Sequence, residues 1–194
     1  MEGRPWGDDV LLVCSVARLS PQKGLLELIA ATDLIVKRQP STRVVVIGDG
    51  QLRPRLEEEV RRRGLGQSLF LAGTLSRQEV AGWLAAADLF ILPSRYEGGP
   101  ATALMEAMAS GCAVIATDVS GVDELITDDT LGRLVPPQNV RELANAAVEL
   151  LDDRAARARI GDNARRKVTA SFTIETCMQR TVAVFDELMP ATHA

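Results

Sequence analysis

The chain has 194 residues and a formal net charge of −4, with 46% hydrophobic and 25% charged residues. This length and mixture are typical of one globular domain with a sizeable core, and the lack of a basic excess argues against a general nucleic-acid-binding surface. No stretch approaches the roughly 18 apolar residues that a membrane span requires.

Short apolar runs alternate along the chain with longer amphipathic segments. Strands are predicted at 10–16, 43–47, 68–71, 89–92, 113–116 and 132–135. Helices are predicted at 21–38, 51–63, 77–86, 102–110, 139–151, 154–170 and 174–188. This alternation indicates parallel βαβ units. Right-handed crossovers then predict an α/β fold with a doubly wound, Rossmann-like, mostly parallel six-stranded sheet and C-terminal helices.

Particular residues set several of these boundaries. Pro21 suits a first helical position, Ser76 with Glu79 forms a capping box, and Gly64 and Gly111 suit helix C-termini. We expect residues 1–9 to be a short leader without a secretion signal. The main domain then covers 10–151, and 152–194 form a helical extension of it.

The cysteines and the histidine exclude some chemistry. Cys14 and Cys112 lie in apolar strand patterns and are expected to be buried free thiols, which suits a reducing cytoplasm. The single histidine, His193, stands next to the end of the chain, so histidine acid–base catalysis is not expected.

Arg18 and Lys23 follow the first predicted strand and flank a predicted helix start. In open α/β sheets, ligands bind at the carboxyl ends of the strands, and a helix start favours anions. Arg supplies a planar fork of donors and Lys a mobile charge. The pair therefore predicts a diphosphate site.

A second segment, SRYEGGPATALMEAMASG, carries two glutamates after the fourth strand. Gly98 and Gly99 allow close approach of backbone amides to a ligand, and the helix start at Ala101 and Thr102 adds further N–H groups. Glu97 in the loop and Glu106 on the helix can each accept two hydrogen bonds, as the vicinal hydroxyls of a sugar require.

Two weaker segments fit the same pocket. Gly48-Asp49-Gly50 lies between a strand and a helix, although such a turn favours these residues in any case. Residues 117–121 lead to Glu124 and either close over a ligand or cap a short helix. Asp128-Asp129 is expected in a solvated turn, and no metal site is predicted.

The ensemble of these motifs resembles the C-terminal half of retaining, group 1 glycosyltransferases of the GT-B architecture. The resemblance covers about residues 10–150 and is carried by SVARLSPQKG, VVVIGDG, LAGTLSRQEV, AADLFILPSRYEGGPATALMEAMASGCAVIATDVSG and GRLVPPQNVRELANAA.

The resemblance implies a nucleotide-sugar donor domain over 10–151, with a UDP- or GDP-sugar as donor and no required cofactor. By this resemblance Arg18 and Lys23 hold the diphosphate. Glu97 addresses the donor sugar near the reacting carbon, which gives these three residues the catalytic roles. Glu106 addresses the ribose, and the base packs around Thr74 and Leu75.

Three departures from the family pattern have consequences. Eight residues separate Glu97 from Glu106 where the family usually has seven; because one residue turns a helical position by about 100°, we expect the loop to absorb the extra residue. Ser120-Gly121 replaces a usual glycine pair. No segment corresponds to the acceptor-binding domain, which is therefore an expected partner in cis or trans, with little turnover by this chain alone.

The sequence leaves two further interpretations to compare with this one. A non-catalytic nucleotide-binding or scaffold module with the same fold is the alternative, and loss of Arg18 or Lys23 would have favoured it. An NAD-binding domain is disfavoured because the first turn lacks the glycine-rich dinucleotide fingerprint.

Overall fold

The computed structural model of the chain describes residues 6, 7, 9–99 and 101–188. The strands are β1 (Leu11–Val16), β2 (Thr42–Ile47), β3 (Leu69–Gly73), β4 (Leu89–Leu92), β5 (Ala113–Thr117) and β6 (Arg133–Val135). The α-helices are α1 (Leu25–Arg38), α2 (Arg53–Arg62), α3 (Arg77–Ala86), α4 (Thr102–Ala109), α5 (Val140–Asp152), α6 (Arg154–Ser171) and α7 (Ile174–Leu188).

The strands form one sheet in the order β3-β2-β1-β4-β5-β6, with each neighbouring pair parallel. The predicted α/β, doubly wound sheet is therefore confirmed. The chain order reverses between β1 and β4, and ligands of such sheets bind in the crevice above this switch point. The fold thus directs attention to the loops that follow β1, β2 and β4.

Apolar side chains fill both faces of the sheet, as a parallel sheet between two helical layers requires. Along β1, Val13 packs with α1, α2 and α5 on one face, whereas Leu12 and Cys14 pack with α3, α4 and α6 on the other. Cys14 and Cys112 are buried free thiols, as predicted. Burial raises the pKa of the Cys112 thiol, which keeps it in the unreactive form.

The predicted helix at 21–38 was wrong at its start. Residues Pro21–Lys23 form a single 3₁₀ turn, and α1 begins only at Leu25. Gly24 separates the two, because its φ of 62° is left-handed and interrupts the helical backbone. Only glycine fits here, since an added Cβ would overlap the carbonyl oxygen of Pro93. Lys23 therefore lies in a turn that packs against the loop after β4, and not within a helix.

Other boundaries lie within two residues of their predicted positions. The capping box of α3 is present: the Ser76 hydroxyl accepts from the Glu79 backbone N–H at 3.3 Å, and the Glu79 carboxylate accepts from the Ser76 N–H at 2.8 Å. Gly64 and Gly111 follow helix ends with φ of 68° and 76°. Both predicted glycine terminations are therefore confirmed.

The last two helices differ in how they meet the rest of the fold. Helix α6 buries Ile160, Gly161, Ala164 and Val168. Helix α7 has no buried residue, and it exposes the apolar side chains of Ile174, Met178, Val182, Val184, Phe185 and Leu188. In the described part of the chain, no helix combines the length and the apolar character needed to cross a bilayer.

The chain ends lie largely outside this description. Of the predicted leader, residues 1–5 and 8 lie outside the described residues, as do 189–194 with His193. Trp6 is described, and its ring packs 5.0 Å from that of Phe70 and 6.1 Å from that of Trp83. The proposed division of the chain at 9 and 151 stays a prediction.

Candidate functional site

A cleft of about 450 Å³ opens above the switch point between β1 and β4. It brings together eight of the ten predicted site residues: Arg18, Lys23, Gly48, Leu75, Glu97, Ala101, Thr102 and Glu106. The loops after β1, β2, β3 and β4 all contribute, although these residues are spread over almost ninety positions of sequence. The topology of the sheet is what makes them neighbours.

Lys23 and Glu97 form an ion pair inside this cleft. The Lys23 Nζ lies 2.6 Å from both carboxylate oxygens of Glu97. The Glu97 side chain is only 8% exposed and that of Lys23 is 22% exposed. A carboxylate so deeply buried needs a cation or hydrogen-bond donors, and here it has both, because the Ser94 hydroxyl also donates to Oε1 at 2.6 Å.

The backbone of the Glu97 loop is tied to the turn that carries Lys23. The Arg95 N–H donates to the Gln22 carbonyl at 2.7 Å, and the Arg95 side chain donates to Glu27 Oε1 through Nε at 2.8 Å. Together with the close packing of Gly24 on Pro93, these contacts make the two loops one unit. The sequence predicted both loops but not this connection.

Arg18 is the exposed cation of the cleft. Its guanidinium makes no hydrogen bond or ion pair with any residue of the described chain, whereas Lys23 is already paired. Both line the same hollow, as the sequence predicted. Arg18 therefore offers the cleft an unpaired fork of donors, whereas Lys23 offers an amine that is held by a carboxylate.

Glycines allow the loops after β1 and β2 to touch. Gly48 has a φ of 135°, and an added Cβ would overlap the carbonyl oxygen of Ala17. Asp49 also lines the cleft; its Oδ2 lies 3.4 Å from Arg53 Nη1. Gly48 therefore allows these two loops to pack closely.

The opposite wall of the cleft is formed by α4 and by the loop after β3. Glu106 is exposed on α4, and Ala101 and Thr102 lie at the start of this helix. Thr74 and Leu75 line the same cleft. Val80 of α3 also lines it and was not among the predicted site residues. An apolar hollow of about 300 Å³ continues from Leu75, Val80 and Glu106.

Gly98 and Gly99 do not line this cleft, although the sequence predicted them there. Gly99 instead lines a second cleft of about 580 Å³, together with Ser120, Gly121 and Glu124 and with side chains of α7. The segment after β5, predicted to share the first pocket, therefore faces the second. The two segments lie close together here, since Gly121 has a φ of 86° and a Cβ added to it would lie 2.9 Å from the Gly99 carbonyl oxygen.

The acidic residues of the turn after β5 lie apart from the cleft. Asp128 and Asp129 are exposed, as predicted. Within the described ranges, no group of three or more His, Cys, Asp or Glu side chains is placed to hold a metal ion.

Comparison with known proteins identifies the family. The model of the glycosyl transferases group 1 family matches residues 2–167 of the chain. The chain belongs to this family. It is 32% identical over 181 residues to an alpha-D-kanosaminyltransferase of Streptomyces kanamyceticus, covering 93% of this chain and 47% of that protein.

A second relative is a GDP-mannose-dependent mannosyltransferase of Corynebacterium glutamicum that acts on a monoacylated phosphatidylinositol monomannoside. It is 32% identical over 181 residues, which cover 89% of this chain and 46% of that protein. The chain thus spans about half the length of the curated relatives that it matches.

Solved structures agree with this placement. The C-terminal domain of the group 1 family protein LpcC from Francisella tularensis superposes with a TM-score of 0.75 at 31% identity, covering 84% of this chain and 87% of that one. The HepE protein of Anabaena, solved with UDP and glucose, superposes with a TM-score of 0.85 at 26% identity. The match covers 92% of this chain and 49% of that one. The fold is therefore that of one half of a GT-B glycosyltransferase, as the sequence predicted.

Proposed function

We propose that the chain binds a nucleoside diphosphate sugar and forms the donor-binding half of a retaining glycosyltransferase. The observation that carries this proposal is the meeting of Arg18, Lys23, Glu97 and Glu106 in one cleft above the switch point. The names of relatives support the ligand class, since HepE is solved with UDP and glucose and one relative is GDP-mannose-dependent. Both UDP- and GDP-sugars are retained as candidate donors.

The two cations have distinct roles in this proposal. Arg18 is unpaired and exposed, so its guanidinium binds the diphosphate without losing an internal partner. Lys23 is held 2.6 Å from both oxygens of Glu97, and a phosphate oxygen takes over part of this interaction when the donor binds. Both cations then stabilise the charge that develops on the leaving diphosphate.

The two carboxylates then recognise the hydroxyls of the donor. Once Lys23 turns to the phosphate, the Glu97 carboxylate regains acceptor capacity next to the diphosphate, where the transferred sugar is attached. Glu106, exposed on α4, accepts from the ribose hydroxyls. Leu75 and Val80 contribute an apolar surface for the base. That the amides of Gly98 and Gly99 approach the ligand stays a prediction.

The reaction proposed for the complete enzyme transfers the sugar to an acceptor hydroxyl with retention of configuration. The bond from the anomeric carbon to the diphosphate breaks, a bond to the acceptor oxygen forms, and the acceptor proton leaves with the diphosphate. The cations and the start of α4 oppose the phosphate charge, and the proposal requires no cofactor. This chain alone turns over little, because water is not excluded from an open cleft.

The acceptor is bound by a partner domain, in cis or in trans. Its expected contact surface includes α7, because a helix with exposed apolar side chains at Ile174, Met178, Val182, Phe185 and Leu188 is typical of an interaction site. In this proposal residues 10–151 bind the donor and 152–194 extend that domain. The two buried free thiols favour a cytoplasmic location.

Calorimetric titration with UDP and GDP tests the proposed function. We expect at least one of the two to bind the folded chain with a dissociation constant of millimolar or below, and Arg18→Ala to weaken this binding. Absence of heat with both nucleotides at millimolar concentration, from protein with the circular dichroism of an α/β fold, contradicts the proposal. Addition of a candidate acceptor-domain chain with a UDP- or GDP-sugar then tests for transfer.

A further inference from the structure

Ser94 stands out among the buried polar residues of the described chain because of what its hydroxyl contacts. The residue is fully buried, and its hydroxyl donates to Glu97 Oε1 at 2.6 Å. This is the same carboxylate that pairs with Lys23. A hydroxyl at a buried position normally costs stability unless it finds a partner, and here that partner is a residue of the candidate site.

The peptide of Ser94 is itself fixed from the neighbouring strand. Thr117, buried at the end of β5, donates its hydroxyl to the Ser94 carbonyl and lies 3.4 Å from the Leu92 carbonyl. Ser94 therefore does not sit on a free loop, since the ends of β4 and β5 hold its backbone. A side chain fixed in this way can hold a second side chain in one rotamer.

We infer that Ser94 is a positioning residue that acts through Glu97. Its hydrogen bond occupies Oε1 on the buried side and so sets the rotation of the carboxylate, which holds Lys23 in place in the absence of a ligand. When a phosphate takes over Lys23, the same hydrogen bond keeps Glu97 directed into the cleft and toward the sugar. The second part rests on the proposed function, whereas the first does not.

The chain offers a matched control for the removal of this hydroxyl. Ser15 on β1 is also fully buried, but its hydroxyl has no hydrogen-bond partner in the described part of the chain. Ser15 does not line the cleft. Ser15→Ala and Ser94→Ala therefore remove the same group at the same degree of burial, and only Ser94→Ala removes a contact to Glu97.

Amine acetylation followed by mass spectrometry tests the first part without any nucleotide. The sequence has three lysines, so Lys37 and Lys167 serve as internal references for Lys23. We expect Ser94→Ala to raise the acetylation rate of Lys23 by at least about threefold, within the range that one hydrogen bond to a charged group controls. Ser15→Ala leaves the rate unchanged, and Glu97→Gln gives the upper limit.

Ser94→Cys separates the hydrogen bond from packing, because a thiol fills a similar space but is a weak donor. Faster Lys23 acetylation in both Ser94→Cys and Ser94→Ala supports the inference. An unchanged rate in Ser94→Ala, or a rise in Ser94→Ala alone, overturns it. A rise at Lys37 and Lys167 as well shows general unfolding of the variant and also counts against it.

Calorimetry with UDP, GDP, UDP-glucose and GDP-mannose tests the second part. We expect Ser94→Ala to bind UDP or GDP no more weakly than the unchanged chain does, because a released Lys23 stays available to the diphosphate. We expect it to lose about tenfold of the affinity that the sugar adds, the effect of one hydrogen bond to a charged group. Equal losses with and without the sugar overturn this part. If the unchanged chain binds none of the four, the proposed function fails, while the acetylation result still decides the role of Ser94.

Discussion

Four charged residues of the cleft fall into two pairs. Lys23 and Glu97, called here the paired side, form an ion pair, are largely buried and are tied to Ser94. Arg18 and Glu106, called here the open side, are both exposed. If the proposed function holds, we expect substitutions on the paired side to lower stability and substitutions on the open side to lower nucleotide affinity.

The largest effect is expected from a substitution that disrupts the packing next to the paired side. Gly24→Ala places a Cβ on the Pro93 carbonyl in a left-handed conformation, and we expect a loss of about 3 kcal/mol or more in the free energy of unfolding. Gly64→Ala is the control, because Gly64 has a similar φ of 68° but no atom within 4 Å of an added Cβ. It should cost about 1 kcal/mol. Urea unfolding measures the free energy of unfolding of both variants. Equal losses would show that contact with the Pro93 carbonyl adds no cost at Gly24.

The second effect removes one member of the ion pair. Lys23→Met leaves the buried Glu97 carboxylate without its cation, and we expect a loss of about 2 kcal/mol, less than for a fully buried pair because Lys23 is partly exposed. The double variant Lys23→Met with Glu97→Gln should regain most of this loss, since an amide needs no counter-charge. Urea unfolding of both variants decides the matter, and a double variant that is less stable than Lys23→Met refutes a compensating charge at Glu97.

The third effect lies on the open side. Arg18→Ala should weaken UDP or GDP binding by about tenfold or more, the contribution of a charge-assisted hydrogen bond. The free energy of unfolding should change by less than about 0.5 kcal/mol, because the guanidinium is exposed. Calorimetry and urea unfolding together check the two halves of this prediction. If Arg18→Ala lowered the free energy of unfolding but not the nucleotide affinity, Arg18 would be a stabilising residue and not a binding residue.

The smallest effect is expected at the ribose position. Glu106→Gln should weaken nucleotide binding by about threefold to tenfold, because an amide replaces one of the two acceptor oxygens. Glu149→Gln, an exposed glutamate on α5 that does not line the cleft, is the control and should bind as the unchanged chain does. Parallel titrations of the two variants give the comparison. Equal nucleotide binding by both would show that Glu106 does not contribute to the site.

The alternation of apolar strands and amphipathic helices was sufficient to predict the fold. Parallel strands bring their carboxyl ends to one edge, so residues such as Arg18, Gly48 and Glu97 could be assigned to one pocket from their position after a strand. Short-range chemistry also predicted the Ser76–Glu79 capping box. These features depend on residue type and on spacing along the chain.

Features that depend on partners distant in sequence could not be predicted. Gly24 lies against the Pro93 carbonyl, and the pairing of Lys23 with Glu97 joins residues 74 positions apart. Gly99 shows a related limit: a glycine permits close approach to the backbone, but its residue type does not determine which cleft it lines. The contact of Ser94 with Glu97 could not be predicted, because nothing in the sequence indicates where a buried hydroxyl points.

A crystal structure of the chain with UDP or GDP would test the proposed donor site most directly. We expect the diphosphate in the first cleft, with phosphate oxygens within hydrogen-bond distance of both the Arg18 guanidinium and the Lys23 amine. We also expect the Lys23–Glu97 distance to increase while the Ser94–Glu97 hydrogen bond remains, as the proposal requires. A diphosphate bound in the second cleft beside α7, or bound without contact to either cation, would contradict it.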